Sequence, residues 1–183
     1  MNHVQALRKK GTSISASALN AIMSGGAERG DIDRTVFMLE EFPRNDVEPN
    51  ADTFSFAFEA LGKNVARKNR KPASKALIDS YLRKADSFLT AMEEQGIAPT
   101  GHIAREYVEL LCLAGEVETA TAIVTDSIAS NGIVNSKTIY RVAMANVTHK
   151  NFDVAREVAS SATEPLPFLL ETIESAERRE STR

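Results

Sequence analysis

Residues 15–50 read SASALNAIMSGGAERGDIDRTVFMLEEFPRNDVEPN, and the organisation of the whole chain follows from them. Leu19, Ile22 and Met23 recur at the three- and four-residue spacing of one helix face. Gly30-Asp31 breaks that pattern, and Ile32, Val36, Leu39 and Phe42 resume it. The reading is a hairpin of two helices closed by the turn Asp46-Val47-Glu48-Pro49-Asn50. Neither helix can bury its apolar stripe by itself. A unit of 35 residues, counted from 16 to 50, therefore predicts stacked copies.

The copies are present. The closing turn VEPN at 47–50 recurs as GIAPT at 96–100 and, more weakly, as GIVN at 132–135. The break AERGDID around Gly30 recurs as LAGEVE around Gly115 and as HKNFD around Asn151. These recurrences resemble the pentatricopeptide repeat family, whose units end in a Gly-Ile-x-Pro-Asp-like turn and break their hairpin at Ala-Gly. The resemblance covers most of the chain and divides it into a half-repeat (1–15), four repeats (16–50, 51–100, 101–135 and 136–164) and a C-terminal capping helix (165–183). In the half-repeat, Val4 and Leu7 take core positions and Gly11 the turn. No alternating strand pattern occurs. The expected fold is all-α, a single right-handed superhelical solenoid of helix-turn-helix repeats.

The second repeat is too long. It spans 50 residues, 51 to 100, which is 15 more than the first. Its first helix is expected from Asp52, a capping residue, with Phe54, Ala57, Phe58 and Leu61 on one face. The extra length is assigned to a basic loop from Lys63 to Lys71 and to a lengthened second helix from Pro72 to Gln95. That helix carries Leu77, Tyr81, Leu82, Ala85, Phe88, Leu89 and Met92. In the third repeat, Ile103, Tyr107, Leu110 and Leu111 face Val117, Ala120, Ile123 and Val124, with Gly132 as C-cap. In the fourth, Ile139, Tyr140, Ala143 and Val147 precede Phe152, Val154, Ala155 and Val158, and Pro165 and Pro167 end the run. The last helix is read from Phe168, Leu169, Ile173 and Ala176, and it finishes at Arg178-Arg179.

Composition sets the bounds on function. The chain has 183 residues, 43% hydrophobic and 26% charged, which is ordinary for a folded soluble domain. No apolar run reaches the roughly 18 to 20 residues of a membrane helix, and no membrane association is expected. A single cysteine, Cys112, precludes an intrachain disulfide and lies in an apolar helical stretch, so it reads as a packed thiol. His3, His102 and His149 have no metal-ligand spacing, and Gly25, Gly26 and Gly30 are not followed by the lysine and hydroxyl of a phosphate loop. No enzymatic activity, metal or cofactor is expected. The net charge of −3 hides one contrast: Lys63, Arg67, Lys68, Arg70, Lys71 and Lys75 supply +6 with no acid between them, leaving −9 elsewhere. Arg8, Lys9 and Lys10 form a shorter patch.

The resemblance implies a partner. In the family, first helices line a groove in which single-stranded RNA is read by the fifth and last residues of each unit. Carried onto this sequence, the readers are Asn20 with Asn50, Ser55 with Thr100, and Arg105 with Asn135 or Ser136. Tyr140 or Arg141 supplies the fourth repeat. The family associates the Asn-Asn pairing with pyrimidines. At the second position, where relatives place an aliphatic clamp, this chain has Ser17, Asp52, His102 and Lys137. At the lysine position near the end of each first helix it has Glu28, Lys63 and Leu113. Contacts to single-stranded or structured RNA are therefore expected to run largely through phosphates at Lys63, Arg67, Lys68, Arg70, Lys71 and Lys75. The family works chiefly in organelles, which implies a mitochondrial matrix location, or alternatively the chloroplast stroma, with a targeting segment not in this chain. The rival expectation is a protein-interaction scaffold with organellar protein partners, such as a ribosome-associated component.

Overall fold

The computed structural model describes residues 14–67, 74–130 and 134–182. Every regular element among them is a helix: α1 Ala16–Ala27, α2 Ile32–Arg44, α3 Ala51–Arg67, α4 Lys75–Glu94, α5 Gly101–Ala114, α6 Val117–Ala129, α7 Ser136–Thr148, α8 Phe152–Ser160 and α9 Pro167–Ser181. The chain forms two compact units, Met1–Glu106 and Tyr107–Arg183, and the boundary falls inside α5.

In the first unit, α1 packs on its hairpin partner α2 and on α3, and α3 packs in turn on α2 and α4. The core is built from Leu19 and Met23 of α1, Met38 and Phe42 of α2, Phe54, Phe58 and Leu61 of α3, and Met92 of α4, all essentially inaccessible. Phe58 meets Phe88 of α4 edge to face, ring centroids 5.9 Å apart, a geometry that adds about 0.5–1.5 kcal/mol to the area buried. Tyr81 ties three segments together: its hydroxyl donates to Asn64 Oδ1 at 2.7 Å, and Asn64 Nδ2 donates to the Gly30 carbonyl at 2.8 Å. A Cβ on Gly30 would stand 3.0 Å from the Asn64 nitrogen, so backbone crowding joins conformation in requiring glycine there.

In the second unit, α7 packs on α6, α8 and α9, and α8 on α9. Its core comes from Val117, Ala120 and Val124 of α6, Ile139, Val142 and Ala143 of α7, Ala155 and Val158 of α8, and Leu169 and Ile173 of α9. The buried Asn146 donates to Thr121 Oγ1 at 2.9 Å, which satisfies an amide that would otherwise be costly inside.

Among the described residues, one backbone device recurs at breaks within hairpins and at turns between them. Gly30, Asp46, Gly96, Gly115 and Lys150 all have positive φ. After each, the next residue's N–H bonds a carbonyl five residues back, Asp31 to Gly26, Val47 to Phe42, Ile97 to Met92, Glu116 to Leu111 and Asn151 to Asn146. That is the Schellman helix ending, which satisfies orphan carbonyls and reverses the chain.

Several expectations are corrected. The basic loop begins later than read: Lys63 lies within α3, which continues to Arg67 because Asn64, Val65 and Ala66 keep the helical period and Val65 is buried. The cap of α3 is Asn50, whose Oδ1 accepts from the Thr53 N–H at 3.1 Å, and Asp52 sits exposed in the first turn. Helix α4 starts at Lys75, and its 20 residues exceed the 13 of α2 by about two turns. Its buried face includes Ile78, while Leu77, Leu82 and Leu89 are only partly covered. Val108, rather than Tyr107, completes the α5 stripe. Helix α8 ends at Ser160, before either proline, and Pro167 opens α9, where its missing N–H costs nothing. Phe168 is 72% exposed, because it lies about 100° round the helix from Leu169, which with Ile173 forms the buried face. The half-repeat before Ile14, the C-cap at Gly132, and Lys68, Arg70, Lys71 and Pro72 lie outside the described residues.

Candidate functional site

Four first helices begin in the same way. Ser15, Asn50, Thr100 and Asn135 each precede a first helix and accept a hydrogen bond through the side chain from the backbone N–H three residues on, at Ala18, Thr53, Ile103 and Thr138. Each is an N-cap, chosen because a short polar side chain satisfies one of the donors that a helix start leaves without a partner. At Asn50 the arrangement is reciprocal, since the Asn50 N–H donates to Thr53 Oγ1 at 3.0 Å. The residue read as the last of each repeat is thus also the first fixed point of the next helix. At the end of the third repeat Asn135 is the cap and Ser136 the first helical residue.

Capping carries the last residue of a repeat to the fifth. Asn20, on α1, lies 30 positions from Asn50, yet its Nδ2 reaches Asn50 Oδ1 at 3.4 Å. Ser55, on α3, lies 45 positions from Thr100, and their hydroxyls are 3.4 Å apart. The stagger of helix starts brings both pairs together despite their unequal spacing in sequence. Thr53, fully buried, is a residue that the repeat positions do not point to. Its hydroxyl donates to Asn20 Oδ1 at 2.8 Å and so holds the amide in place. The signal for it is the spacing N-x-x-T, present at Asn50-Thr53 and again at Asn135-Thr138. Such a pair of amides offers both donor and acceptor atoms at one place, the requirement for meeting a nucleobase edge.

The remaining candidates are less free. Arg105 belongs to the first unit and bonds Glu106 Oε1 at 2.8 Å and His102 Nδ1 at 2.7 Å, whereas Asn135 belongs to the second unit and caps α7. Arg141 is paired with Glu109 at 2.9 Å, and Tyr140 is 42% exposed at the start of α7. Among the phosphate candidates, Lys63 forms an ion pair with Glu59 one turn earlier on α3. Lys75 is exposed at the first position of α4. Arg67 is the last residue of α3, and its side chain lies outside the described residues. Burial pushes the Cys112 thiol up to about 11, with Glu109 adding to the effect and Arg141 opposing it, as suits a packed thiol rather than a nucleophile. Among the described residues no group of three or more His, Cys, Asp and Glu side chains is placed to hold a metal ion. None of their helices is long and apolar enough to cross a membrane.

No family model and no curated protein matches the chain in sequence. Solved structures do match it in fold. Maize pentatricopeptide repeat protein PPR10 superposes with a TM-score of 0.72 at 15% identity over 97% of this chain and 24% of that one. The pentatricopeptide repeat domain of Arabidopsis thaliana protein-only RNase P 1, in complex with tRNA, gives 0.71 at 13% identity over 95% of this chain and 86% of that one. PPR10 in complex with an 18-nt psaJ RNA element gives 0.61 at 16% identity over 98% and 25% of the two chains. The chain spans about a quarter of the maize protein's length. Its fold is the pentatricopeptide repeat fold.

Proposed function

We propose that the protein binds single-stranded RNA in organellar RNA metabolism, in mitochondria or alternatively in chloroplasts, through first helices whose fifth residues meet the cap of the following helix. The observation that carries this reading is the convergence of Asn20 with Asn50 and of Ser55 with Thr100. Two of the fold's neighbours, from maize and Arabidopsis, were crystallised with RNA, which supports the fold as an RNA scaffold. In this reading the two pairs contact base edges, and the basic stretch from Lys63 to Lys75 contacts phosphates without sequence preference.

The test is binding of labelled single-stranded RNA homopolymers, followed by anisotropy at low salt. Asn50→Asp is the informative change, because aspartate caps as well as asparagine but removes the amide donor. The expected outcome is an unchanged melting temperature with an altered ranking of the homopolymers, and Asn20→Ala should act in the same direction. Identical ranking for parent and both variants would sink the base-contact reading, and no binding by the parent would sink the RNA reading altogether.

A further inference from the structure

A second surface of the first unit has a different chemistry. The C-terminal half of α2, the turn that follows it and the C-terminal half of α4 enclose a cleft of about 950 Å³, at the upper end of the range for ligand sites. Its lining includes the buried rings of Phe54 and Phe88 and the half-buried side chains of Leu39, Val47 and Ile97. Val47 and Ile97 occupy the same position in two successive Schellman endings, so the repeat geometry itself places an apolar side chain on each side. None of Asn20, Asn50, Ser55 and Thr100 lines the cleft.

The rim is acidic. Glu40, Asp46, Glu48 and Glu94 line it, all exposed, and its described lining contains no lysine, arginine or histidine. Glu40 is paired with Arg44 at 3.1 Å. Asp46, Glu48 and Glu94 make no ion pair among the described residues. Carboxylates gathered round an apolar floor repel a polyanion such as RNA and attract cationic groups, while the floor offers area to an apolar anchor. We infer that this cleft docks a segment of a partner protein in which one or two large apolar side chains are flanked by lysine or arginine. The apolar anchors fill the space over Phe54 and Phe88, and the flanking cations meet Asp46, Glu48 and Glu94. None of the described residues proposed to meet RNA lines the cleft, which leaves it open to a basic protein segment while RNA is held.

The experiment uses the full chain and three fluorescein-labelled short peptides: one with leucine and phenylalanine between lysines and arginines, one with the same apolar pair between glutamates, and one with the same cations around glycines. The first is expected to bind, and the other two at least tenfold more weakly. Glu48→Lys with Glu94→Lys, both at exposed positions, should weaken the first peptide at least tenfold while leaving the thermal melt unchanged, and Val47→Ser should weaken it without changing the salt dependence. Equal binding of the glycine peptide would reduce the cleft to a charge effect and overturn the proposal. So would unchanged affinity in the double variant, or displacement of the peptide by single-stranded RNA. Self-association of the parent in sedimentation that the double variant abolishes would make the occupant a second copy of this chain, and would overturn it too.

Discussion

Asp46 and Lys150 hold φ of 55° and 63° where three other helix endings of the same design use glycine. An L side chain in the left-handed region costs roughly 1 kcal/mol, somewhat less for aspartate. Asp46→Gly is therefore expected to raise stability by under about 1 kcal/mol in denaturant unfolding, whereas Gly30→Ala should lower it by at least about 1 kcal/mol because the Asn64 backbone is also in the way. A gain at Gly30 would contradict the crowding described. At this scale the sequence was only partly readable. Gly30, Gly96 and Gly115 announce their turns by type, but Lys150 does not, and the sequence pattern centres that break on Asn151. Lysine carries no signal for a left-handed φ; its neighbours' hydrogen bonds impose one.

At the scale of elements, the interface between α3 and α4 rests on few large groups. Phe88 is 7% exposed and stacks edge to face on the fully buried Phe58, so Phe88→Ala is expected to cost about 3–5 kcal/mol. A loss under about 1 kcal/mol in urea unfolding would mean that the ring is not held there. The apolar spacing made this contact legible beforehand, since Phe54, Phe58 and Phe88 all fall on predicted stripes. The ends of α3 and α4 were not legible for a physical reason: lysine and arginine are good helix formers, so a run of positive charge does not mark where a helix stops. Charge suggested a loop from Lys63, and the helix continues to Arg67. Caps were similarly ambiguous, because Asn50 and Asp52 are both capping residues and only the reciprocal bond to Thr53 decides between them.

Across the whole molecule, a net charge of −3 combines +6 in one short stretch with −9 elsewhere. If RNA is held at Arg67, Lys68, Arg70 and Lys71, a plot of log K against log salt should have a slope near −3, from roughly −0.7 per phosphate contacted. Replacing these four residues by serine should flatten it, while Asn50→Asp should leave it nearly intact; a Ser variant with full affinity and slope would place the phosphates elsewhere. The repeat order was legible because turns and breaks recur in register. The candidate site was legible only as positions, since the spacing N-x-x-T marks a helix cap but not the earlier helix whose Asn20 that cap meets. That cap also constrains how such a protein can change over time. Ser15, Asn50, Thr100 and Asn135 belong to the small set of side chains that start helices well, and an aliphatic substitute would cost about 1 kcal/mol at each. The side chains that start a helix well there are two hydroxyls, an amide and a carboxylate, so folding alone narrows the choice whether or not anything binds. Exchanges among hydroxyl, amide and carboxylate keep the helix start and change the donors and acceptors offered beside Asn20 at Asn50 and beside Ser55 at Thr100, so what those two places present can change at little cost to the fold.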